Sequence, residues 1–332
     1  MPGPFNLPNS FLTTFLKSQF ADLPYPTHSF ASQTIVVTGA NTGLGLEAAR
    51  HFVRLGAAKV ILGCRSLDKG FDAKKDIKHS YQVSECIIEV WEVDLESYAS
   101  VKAFCLKVGE LERVDVVLEN AGVATPKFEL CEGMEKTITV NVVSTFLMAL
   151  LVLPKLRESA VKYGTVPRLT IVASDAHEQA NFKDQSAPNI FEALKSDKHQ
   201  PDRYNISKLL EILTVRGLAP AMTASGKPKV VLNTLTPGFC HSELMRHATL
   251  PLKVMGGIGK KLIGRTSEVG SRTLVAAACA GDETHGTYMM DCQVGEVSAW
   301  VRSDKGKETQ DRVYNELLGV LEGIEPGITK NI

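Results

Sequence analysis

Three side chains, Ser174, Tyr204 and Lys208, have types and spacing that could carry acid–base chemistry on a substrate oxygen. Tyr204 and Lys208 are four residues apart in a helix-forming stretch, which places the ammonium beside the phenol. A fixed cation favours the phenolate and lowers the pKa of a phenol, so Tyr204 is expected to act as the acid and base. Ser174 follows the predicted strand 169–172, and its hydroxyl can bind the same substrate oxygen.

Residues 34–55 have the strand, glycine turn and helix pattern of a pyrophosphate site. A β-branched run leads into Gly39, Gly43 and Gly45, after which apolar residues recur at helical spacing. Glycine permits a sharp turn close to a phosphate, and the helix N-terminus supplies free N–H groups and a positive dipole end. The spacing T-G-x-x-x-G-x-G is one residue wider than G-x-G-x-x-G. The pattern predicts a dinucleotide site, with a crowded loop as the alternative.

Candidate cofactor ligands also follow the next predicted strands. An acidic residue at the position of Arg65 would bind the adenosine ribose hydroxyls, whereas a guanidinium pairs with a 2′-phosphate. Arg65 therefore favours NADP over NAD, with a solvated arginine as the alternative. Asp94 ends the third strand, where it could meet the adenine or cap a helix. Asn120-Ala121-Gly122 ends the fourth, where small residues would let a cofactor lie against the backbone.

Taken together, these residues resemble the short-chain dehydrogenase/reductase family over residues 33–300. The shared features are T-G-A-N-T-G-L-G at 38–45, Asn120-Ala121-Gly122, Asn141, Ser174, Tyr204 with Lys208, and Pro237-Gly238. The stretches 60–65, 174–177 and 237–244 further resemble the retinol-dehydrogenase-like branch and its fungal relatives in secondary metabolism.

The resemblance implies hydride transfer between nicotinamide C4 and a carbonyl carbon, with Tyr204 protonating the alkoxide. Ser174 would hold the carbonyl oxygen, Lys208 would bind the nicotinamide ribose, and Asn141 would anchor the water of a proton relay. No metal is implied. The implied cofactor-binding residues are Gly39, Asn41, Thr42, Gly43, Leu44, Gly45, Arg65, Asp94, Leu95, Asn120, Ala121, Gly122, Tyr204, Lys208, Pro237 and Gly238.

Three departures from the family pattern are visible in the sequence. Glu119 replaces the usual asparagine before Asn120. Ser174 and Tyr204 are 30 residues apart, which predicts an inserted loop at 178–203. Phe239-Cys240 follows Pro237-Gly238 where the family has a threonine.

Strands and helices alternate along the chain, which predicts an α/β fold, a Rossmann-type doubly wound parallel sheet of about seven strands with helices on both faces. We expect a single catalytic domain over 1–332, with an N-terminal arm (1–32), a substrate-lid segment (239–264) and a C-terminal tail (303–332). The predicted strands are 34–38, 59–62, 87–93, 115–118, 169–172, 230–234 and 287–290, and the main predicted helices are 68–79, 98–108, 134–156, 204–222 and 267–280.

Composition excludes several classes of protein. Basic and acidic residues number 37 each, so no net field attracts nucleic acid or an acidic membrane surface. No apolar run is expected to reach the length of a membrane span. Seven cysteines without paired spacing indicate buried thiols of a reducing compartment, which favours a cytoplasmic protein. The arm is expected to pack on the domain rather than on a membrane or a partner.

The leading hypothesis is an NADP(H)-dependent oxidoreductase, most simply a reductase, for a lipophilic ketone or aldehyde. A non-oxidative cyclase or dehydratase that keeps the cofactor as structure, and a nucleotide sensor, are the alternatives; a homodimer through helix 134–156 is left open. His177 is expected to cap a loop, and His241 and His247 fit no common metal site. The side chains expected to form an apolar pocket are Phe182, Ile190, Phe191, Leu194, Phe239, Leu244, Met245, Leu250 and Leu252.

Overall fold

The computed structural model of the chain describes residues 9–81, 86–241 and 263–332. Its strands are β1 (Thr34–Thr38), β2 (Lys59–Cys64), β3 (Ile87–Glu92), β4 (Val116–Glu119), β5 (Leu130–Cys131), β6 (Met134–Glu135), β7 (Arg168–Val172), β8 (Val231–Leu235), β9 (Tyr288–Met290) and β10 (Gln293–Val294). Its helices are α1 (Asn9–Gln19), α2 (Gly43–Arg54), α3 (Leu67–Tyr81), α4 (Tyr98–Gly109), α5 (Lys136–Tyr163), α6 (Ile190–Ala193), α7 (Arg203–Ala224), α8 (Ser267–Cys279) and α9 (Asp304–Ile324).

Within the described residues, eight strands form one sheet in the order β10-β9-β8-β7-β4-β1-β2-β3. All neighbours run parallel except β9 and β10. The chain winds outward in one direction from β1 to β3 and in the other from β4 to β9, so the switch point lies between β1 and β4. Ligands bind such sheets beyond the carboxyl ends of the strands at this switch point. The doubly wound prediction is thus confirmed.

Strand β1 lies at the centre of the sheet because its side chains can be buried on both faces. All five residues are buried, and β2 and β4 pair with it on either side. Alternate side chains join two apolar clusters: Val36 packs in one, and Ile35 and Val37 pack in the other. A near-continuous β-branched run suits a strand covered by helices on both sides.

The sheet has one strand more than the seven predicted. Strand β10 is a two-residue edge strand that folds back antiparallel on β9. Its turn contains Asp291 and Cys292, both with positive φ (54° and 64°), the backbone of a tight hairpin turn. The sequence carries no Asn-Gly or Asp-Gly signal here, and both residues of β10 are exposed, so neither turn chemistry nor periodicity marks the strand.

Helix α5 differs from its prediction in start, length and interior. Met134 and Glu135 pair with β5, so the helix begins at Lys136. It contains one π turn, Thr139–Ser144. Contrary to the sequence expectation, it is long and apolar enough to cross a membrane, but 89% of its most apolar window is buried inside the protein. Its burial is that of a helix in the core of the protein.

The inserted segment 178–203 folds against the core instead of forming an apolar pocket wall. It contains 3-10 turns at Lys183–Ser186 and Gln200–Asp202 with α6 between them. The apolar side chains that the sequence assigned to the pocket are at most 3% exposed and belong to the main core cluster: Phe182, Ile190, Phe191 and Leu194. That part of the pocket prediction is wrong, because these side chains bury themselves.

Candidate active site

A cavity of about 710 Å³ opens at the carboxyl ends of the strands and extends from the glycine turn after β1 to the end of β7. Sixteen of the predicted site residues line it: Gly39, Asn41, Thr42, Gly43, Leu44, Arg65, Asp94, Leu95, Asn120, Ala121, Gly122, Ser174, Tyr204, Lys208, Pro237 and Gly238. The fold therefore brings the glycine turn and the Ser174, Tyr204 and Lys208 side chains to one cavity.

Two predicted residues do not line the cavity, and Gly45 is one of them. A Cβ on Gly45 would lie 2.5 Å from both the Asn120 side-chain nitrogen and the Gly39 carbonyl oxygen. Gly45 therefore allows α2 to pack against the turn, while Gly39 and Gly43 supply positive φ angles of 65° and 59°. The Thr42 side chain makes no capping hydrogen bond to the first turn of α2. A glycine turn before a helix start without a side-chain cap fits a pyrophosphate.

Thr38 and Asn120 tie the glycine turn to the end of β4. The backbone N–H groups of Asn120 and Ala121 donate to Thr38 Oγ1 at 3.0 and 3.1 Å. The Asn120 amide donates back to the Thr38 carbonyl at 2.9 Å. Asn120 thus also has a structural task that the sequence did not suggest, and Thr38 was missed because a threonine inside a strand resembles ordinary β-branched core.

At the adenosine end, Arg65 already has a partner. Its guanidinium donates to Glu96 Oε1 at 2.7 Å, and Glu96 Oε2 pairs with Lys136 at 2.9 Å. Arg65 is half exposed, so it can turn towards a ligand. Glu96 lines the cavity but was not singled out in the sequence, since it lies beyond Asp94 and Leu95 in a loop.

The Tyr204 phenol lies near the Ser174 hydroxyl in the cavity. Ser174 Oγ donates to Asp175 Oδ1 and accepts from the Ala176 N–H, each at 3.1 Å. Burial raises the pKa of Tyr204 well above its ordinary range, an effect that the nearby Ser174 hydroxyl only partly offsets. The phenol therefore keeps its proton at neutral pH.

Lys208 does not act on Tyr204 as the sequence predicted. Its ammonium donates to the Val172 carbonyl at 2.8 Å and to the Glu211 carboxyl at 2.8 and 3.1 Å, and lies 5.9 Å from the Tyr204 ring centroid. The adjacent Glu211 carboxyl offsets the field of the ammonium, and its negative charge raises the pKa of Tyr204 further. The expected lowering of the Tyr204 pKa is thus not found in this structure.

Two buried carboxyl groups lie behind Lys208. Burial raises the pKa of Glu211 to about 7, although Lys208 acts in the opposite direction. Glu119, the departure from the family asparagine, is fully buried, and burial and the charge of Glu211 raise its pKa well above the ordinary range. Glu119 Oε1 has no hydrogen-bond partner among the described residues. A neutral Glu119 explains how two acids can be buried together.

Asn141 is the other predicted residue that does not line the cavity. It lies in the π turn of α5, fully buried, and its amide donates to the Val123 carbonyl and to Ser207 Oγ, each at 2.9 Å. Its side-chain oxygen accepts from the Val123 N–H at 2.9 Å. A Cβ added to Gly122 would lie 3.2 Å from that oxygen and 3.8 Å from Lys208 Nζ. The side chain thus positions the 120–123 loop, and these bonds occupy it.

His177 is a structural residue, as its alternative interpretation as a loop cap predicted. Its Nδ1 donates to the Ser174 carbonyl at 2.9 Å and its Nε2 accepts from the Ser298 N–H at 3.1 Å, which defines a neutral ring. Burial lowers its pKa to about 4. Because the ring contacts the Ser174 backbone and not its hydroxyl, it forms no hydrolase triad.

Several cavity residues were missed in the sequence. Asp175 is partly buried beside Ser174, whose hydroxyl donates to it, and burial raises its pKa. Polar Gln179 and Gln200 line the cavity from the inserted segment, and Phe239 lines it as predicted. Leu244, Met245, Leu250, Leu252 and His247 lie outside the described residues. No three His, Cys, Asp or Glu side chains in ranges 9–81, 86–241 and 263–332 are grouped as a metal site requires.

Comparison with known proteins identifies the family of this chain. The family model for short chain dehydrogenases matches residues 33–181. The chain is 48% identical over 326 residues to the short chain dehydrogenase/reductase dmxR8 of Cryptosporiopsis sp., covering 96% of this chain and 99% of that protein. The chain belongs to the short-chain dehydrogenase/reductase family. This dehydrogenase/reductase is also 46% identical over 292 residues to the short chain dehydrogenase atnD of Emericella nidulans, covering 86% and 92% of the two chains.

Solved structures of the short-chain dehydrogenase/reductase family share the fold. A short-chain dehydrogenase from Sphingobium yanoikuyae in complex with NADPH superposes with a TM-score of 0.54 at 20% identity, over 90% of this chain and 96% of that chain. At this identity the likeness concerns the fold. Family membership makes the protein an oxidoreductase that binds a small-molecule substrate and a nicotinamide cofactor.

Proposed function

We propose that the protein is an NADP(H)-dependent carbonyl reductase for an apolar, medium-sized ketone or aldehyde. The observation that carries the proposal is that a glycine turn and a protonated phenol, that of Tyr204, line the same cavity. When bound there, the nicotinamide supplies a hydride to the carbonyl carbon. The chain's own residues then have to orient the carbonyl group and deliver one proton to its oxygen.

Tyr204 is the proposed proton donor. A phenol whose pKa is raised gives its proton only to a strong base, and the alkoxide formed when a carbonyl carbon accepts hydride is such a base. Ser174 would hold the same oxygen through its hydroxyl. This protonation state favours reduction over oxidation, since oxidation at neutral pH would need the phenolate.

Lys208 is proposed to hold the cofactor ribose. Its ammonium lines the cavity beside Gly122, where an added Cβ would lie 3.8 Å from Lys208 Nζ. A ribose hydroxyl would share the ammonium with the Val172 carbonyl and the Glu211 carboxyl, which it contacts in this structure. At the other end, Arg65 would exchange Glu96 for a 2′-phosphate, which supports NADP over NAD.

The apolar character of the substrate is proposed from the apolar side chains of the cavity lining. Phe15, Phe239, Pro126 and Pro201 line the cavity, together with a few amides that could orient a polar group. A reducing compartment such as the cytoplasm is proposed because all seven cysteines, which the structure describes, are outside disulfides.

A non-oxidative reaction is the second candidate, and Asp175 favours it. A carboxyl whose pKa is raised by burial, beside Ser174, could serve as the acid of a dehydration or cyclisation. Such an enzyme would form product without consuming the cofactor.

The test follows NADPH absorbance with carbonyl compounds of increasing apolar size, from cyclohexanone to β-tetralone. We expect consumption, and we expect Tyr204→Phe to reduce kcat/KM by at least about a hundredfold because the proton donor is removed. Tyr25→Phe, which makes the same change at an exposed tyrosine, should retain activity. Product formation without NADPH consumption would support the non-oxidative enzyme instead.

A further inference from the structure

Helix α1, which precedes the region matched by the family model, reaches the active-site cavity. Phe15, on this helix, lines the cavity together with Phe239. Phe15 is half-buried, whereas Phe20, just after the helix, is 67% exposed. The sequence expectation of an arm packed on the domain therefore understates its position, because one of its aromatic rings faces the space where a substrate would lie.

Gln19 attaches the end of α1 to the backbone beside the cavity. It is only 5% exposed, and its amide donates to the carbonyl oxygens of Phe239 and Ile263, each at 2.7 Å. Its side-chain oxygen accepts from the Phe239 N–H at 3.0 Å. Both donors and the acceptor of the amide are thus used on main-chain groups. Only a carboxamide of this length can satisfy all three, since a glutamate has no donors.

A second contact joins α1 to the turn at Pro237 and Gly238. The Arg265 guanidinium donates to the Pro237 carbonyl at 3.1 Å, to Asp291 at 2.8 Å and to the Ser18 carbonyl. Ser18 Oγ donates to Asp291 Oδ1 at 2.9 Å. The turn is therefore held to the C-terminal end of α1 by a buried ion pair.

The packing leaves little room for movement at Gly238. Its φ is +77°, and an added Cβ would lie 2.8 Å from an Arg265 nitrogen and 3.1 Å from Gln19 Oε1. Gln19, Arg265 and the turn are thus in direct contact. A displacement of Gln19 would release the backbone that borders the cavity.

We propose that α1 is a wall of the active site, in which Phe15 selects for bulky apolar carbonyl substrates and Gln19 is the positioning residue for the Gly238–Phe239 backbone. The proposal rests on the carbonyl reductase function, because it names residues that determine which substrate that site accepts. The contact between Gln19 and Phe239 can be tested separately, in an experiment that does not depend on enzyme activity.

The first experiment compares β-tetralone with cyclohexanone in steady-state kinetics with NADPH. Phe15→Ala should raise KM for β-tetralone about tenfold through the loss of an apolar contact, with a smaller rise for cyclohexanone. Phe20→Ala, the matched control, should leave both unchanged. Equal KM values for wild type and Phe15→Ala with β-tetralone would overturn the selective role of Phe15.

Gln19→Met keeps the length of the side chain and removes its hydrogen bonds. We expect kcat to fall about fivefold for both ketones, because the backbone beside the reacting atoms is no longer held, while the KM for NADPH stays the same. The two roles can be distinguished, because replacing Gln19 should change kcat whereas replacing Phe15 should change KM. An unaltered kcat in Gln19→Met would remove the positioning role.

Hydrogen exchange tests the same contact in the absence of substrate. The Phe239 amide should exchange at least about tenfold faster in Gln19→Met than in wild type or Phe20→Ala. Unchanged exchange would overturn the proposed contact. If neither wild type nor any variant consumes either ketone, the proposed carbonyl reductase function is wrong. Faster exchange of the Phe239 amide in Gln19→Met would still support the attachment of α1.

Discussion

Arg65, the proposed ligand of a 2′-phosphate, is paired with Glu96 in this structure. Its ion pair with Glu96 is partly exposed, so exchanging a carboxylate for a phosphate costs little free energy. Glu96 also pairs with Lys136, which keeps its carboxylate in place when Arg65 leaves. The pair thus holds Arg65 at the edge of the cavity.

We expect Arg65→Ala to weaken NADPH binding by about 1–3 kcal/mol through the loss of a charged hydrogen bond, and to change NADH binding far less. Titration of both cofactors against wild type and variant measures the difference. Lys75→Ala, at an exposed position on α3 and outside the cavity lining, is a control for lost positive charge. An equal loss for the two cofactors would exclude contact with a 2′-phosphate.

Glu211 should make stability depend on pH. Burial raises its pKa from the ordinary 4.5 to about 7, so between these values the folded chain binds a proton that the unfolded chain has lost. The free energy of unfolding attributable to Glu211 therefore falls as pH rises from 4.5 to about 7 and is lowest above that range.

Glu211→Gln has no such proton, so its stability should decline less than that of wild type between those pH values. Urea unfolding at several pH values measures the slope, and Glu308→Gln, at an exposed position on α9, should keep the wild-type slope. Parallel curves for wild type and Glu211→Gln would show that Glu211 titrates at the same pH in both states.

At the scale of elements, the inserted segment 178–203 is held by a buried arginine. Arg203, the first residue of α7, is 0% exposed and donates to the Ser196 and Lys198 carbonyls at 3.0 and 2.8 Å. It also lies 3.6 Å from the Asp184 carboxylate. The insertion is thus anchored to the start of the helix that carries Tyr204, and Gln200 and Pro201 reach the cavity from it.

Replacing Arg203 should destabilise the folded protein. Arg203→Met is expected to lower the free energy of unfolding by about 3–5 kcal/mol, because Asp184 and two carbonyl groups lose their buried partner. Chemical denaturation measures the loss, and Arg302→Met, at a half-exposed arginine, is the control. A loss no larger than that of the control would mean that water replaces the guanidinium.

At the scale of the whole molecule, the C-terminal helix α9 packs on the core beside α7, the helix that carries Tyr204. Val313, Leu317 and Leu321 of α9 are at most 1% exposed and join the main apolar cluster. Gly217 of α7 faces Tyr314, and a Cβ on that glycine would lie 2.9 Å from the ring. The Asn331 amide donates to the Leu150 carbonyl of α5 at 3.1 Å.

A homodimer through α5 stays a prediction.

Leu317→Ala should lower the free energy of unfolding by about 2–5 kcal/mol, since it leaves a cavity between α7 and α9. Leu106→Ala makes the same change at a leucine that is 72% exposed and should cost far less. Thermal and urea unfolding measure both. Similar losses would indicate that α9 contributes little to the core.

The sequence alone predicts the order of the main elements, the glycine turn and most of the cavity residues that it singled out, because β-branched runs, glycine spacing and a four-residue helical repeat are local properties. What surrounds these residues depends on tertiary packing. Desolvation by burial, and not the nearness of Lys208, keeps the Tyr204 phenol protonated. Phe182 and Phe191 are in the core while Phe15 reaches the cavity, because packing among distant segments chooses which apolar side chains remain accessible.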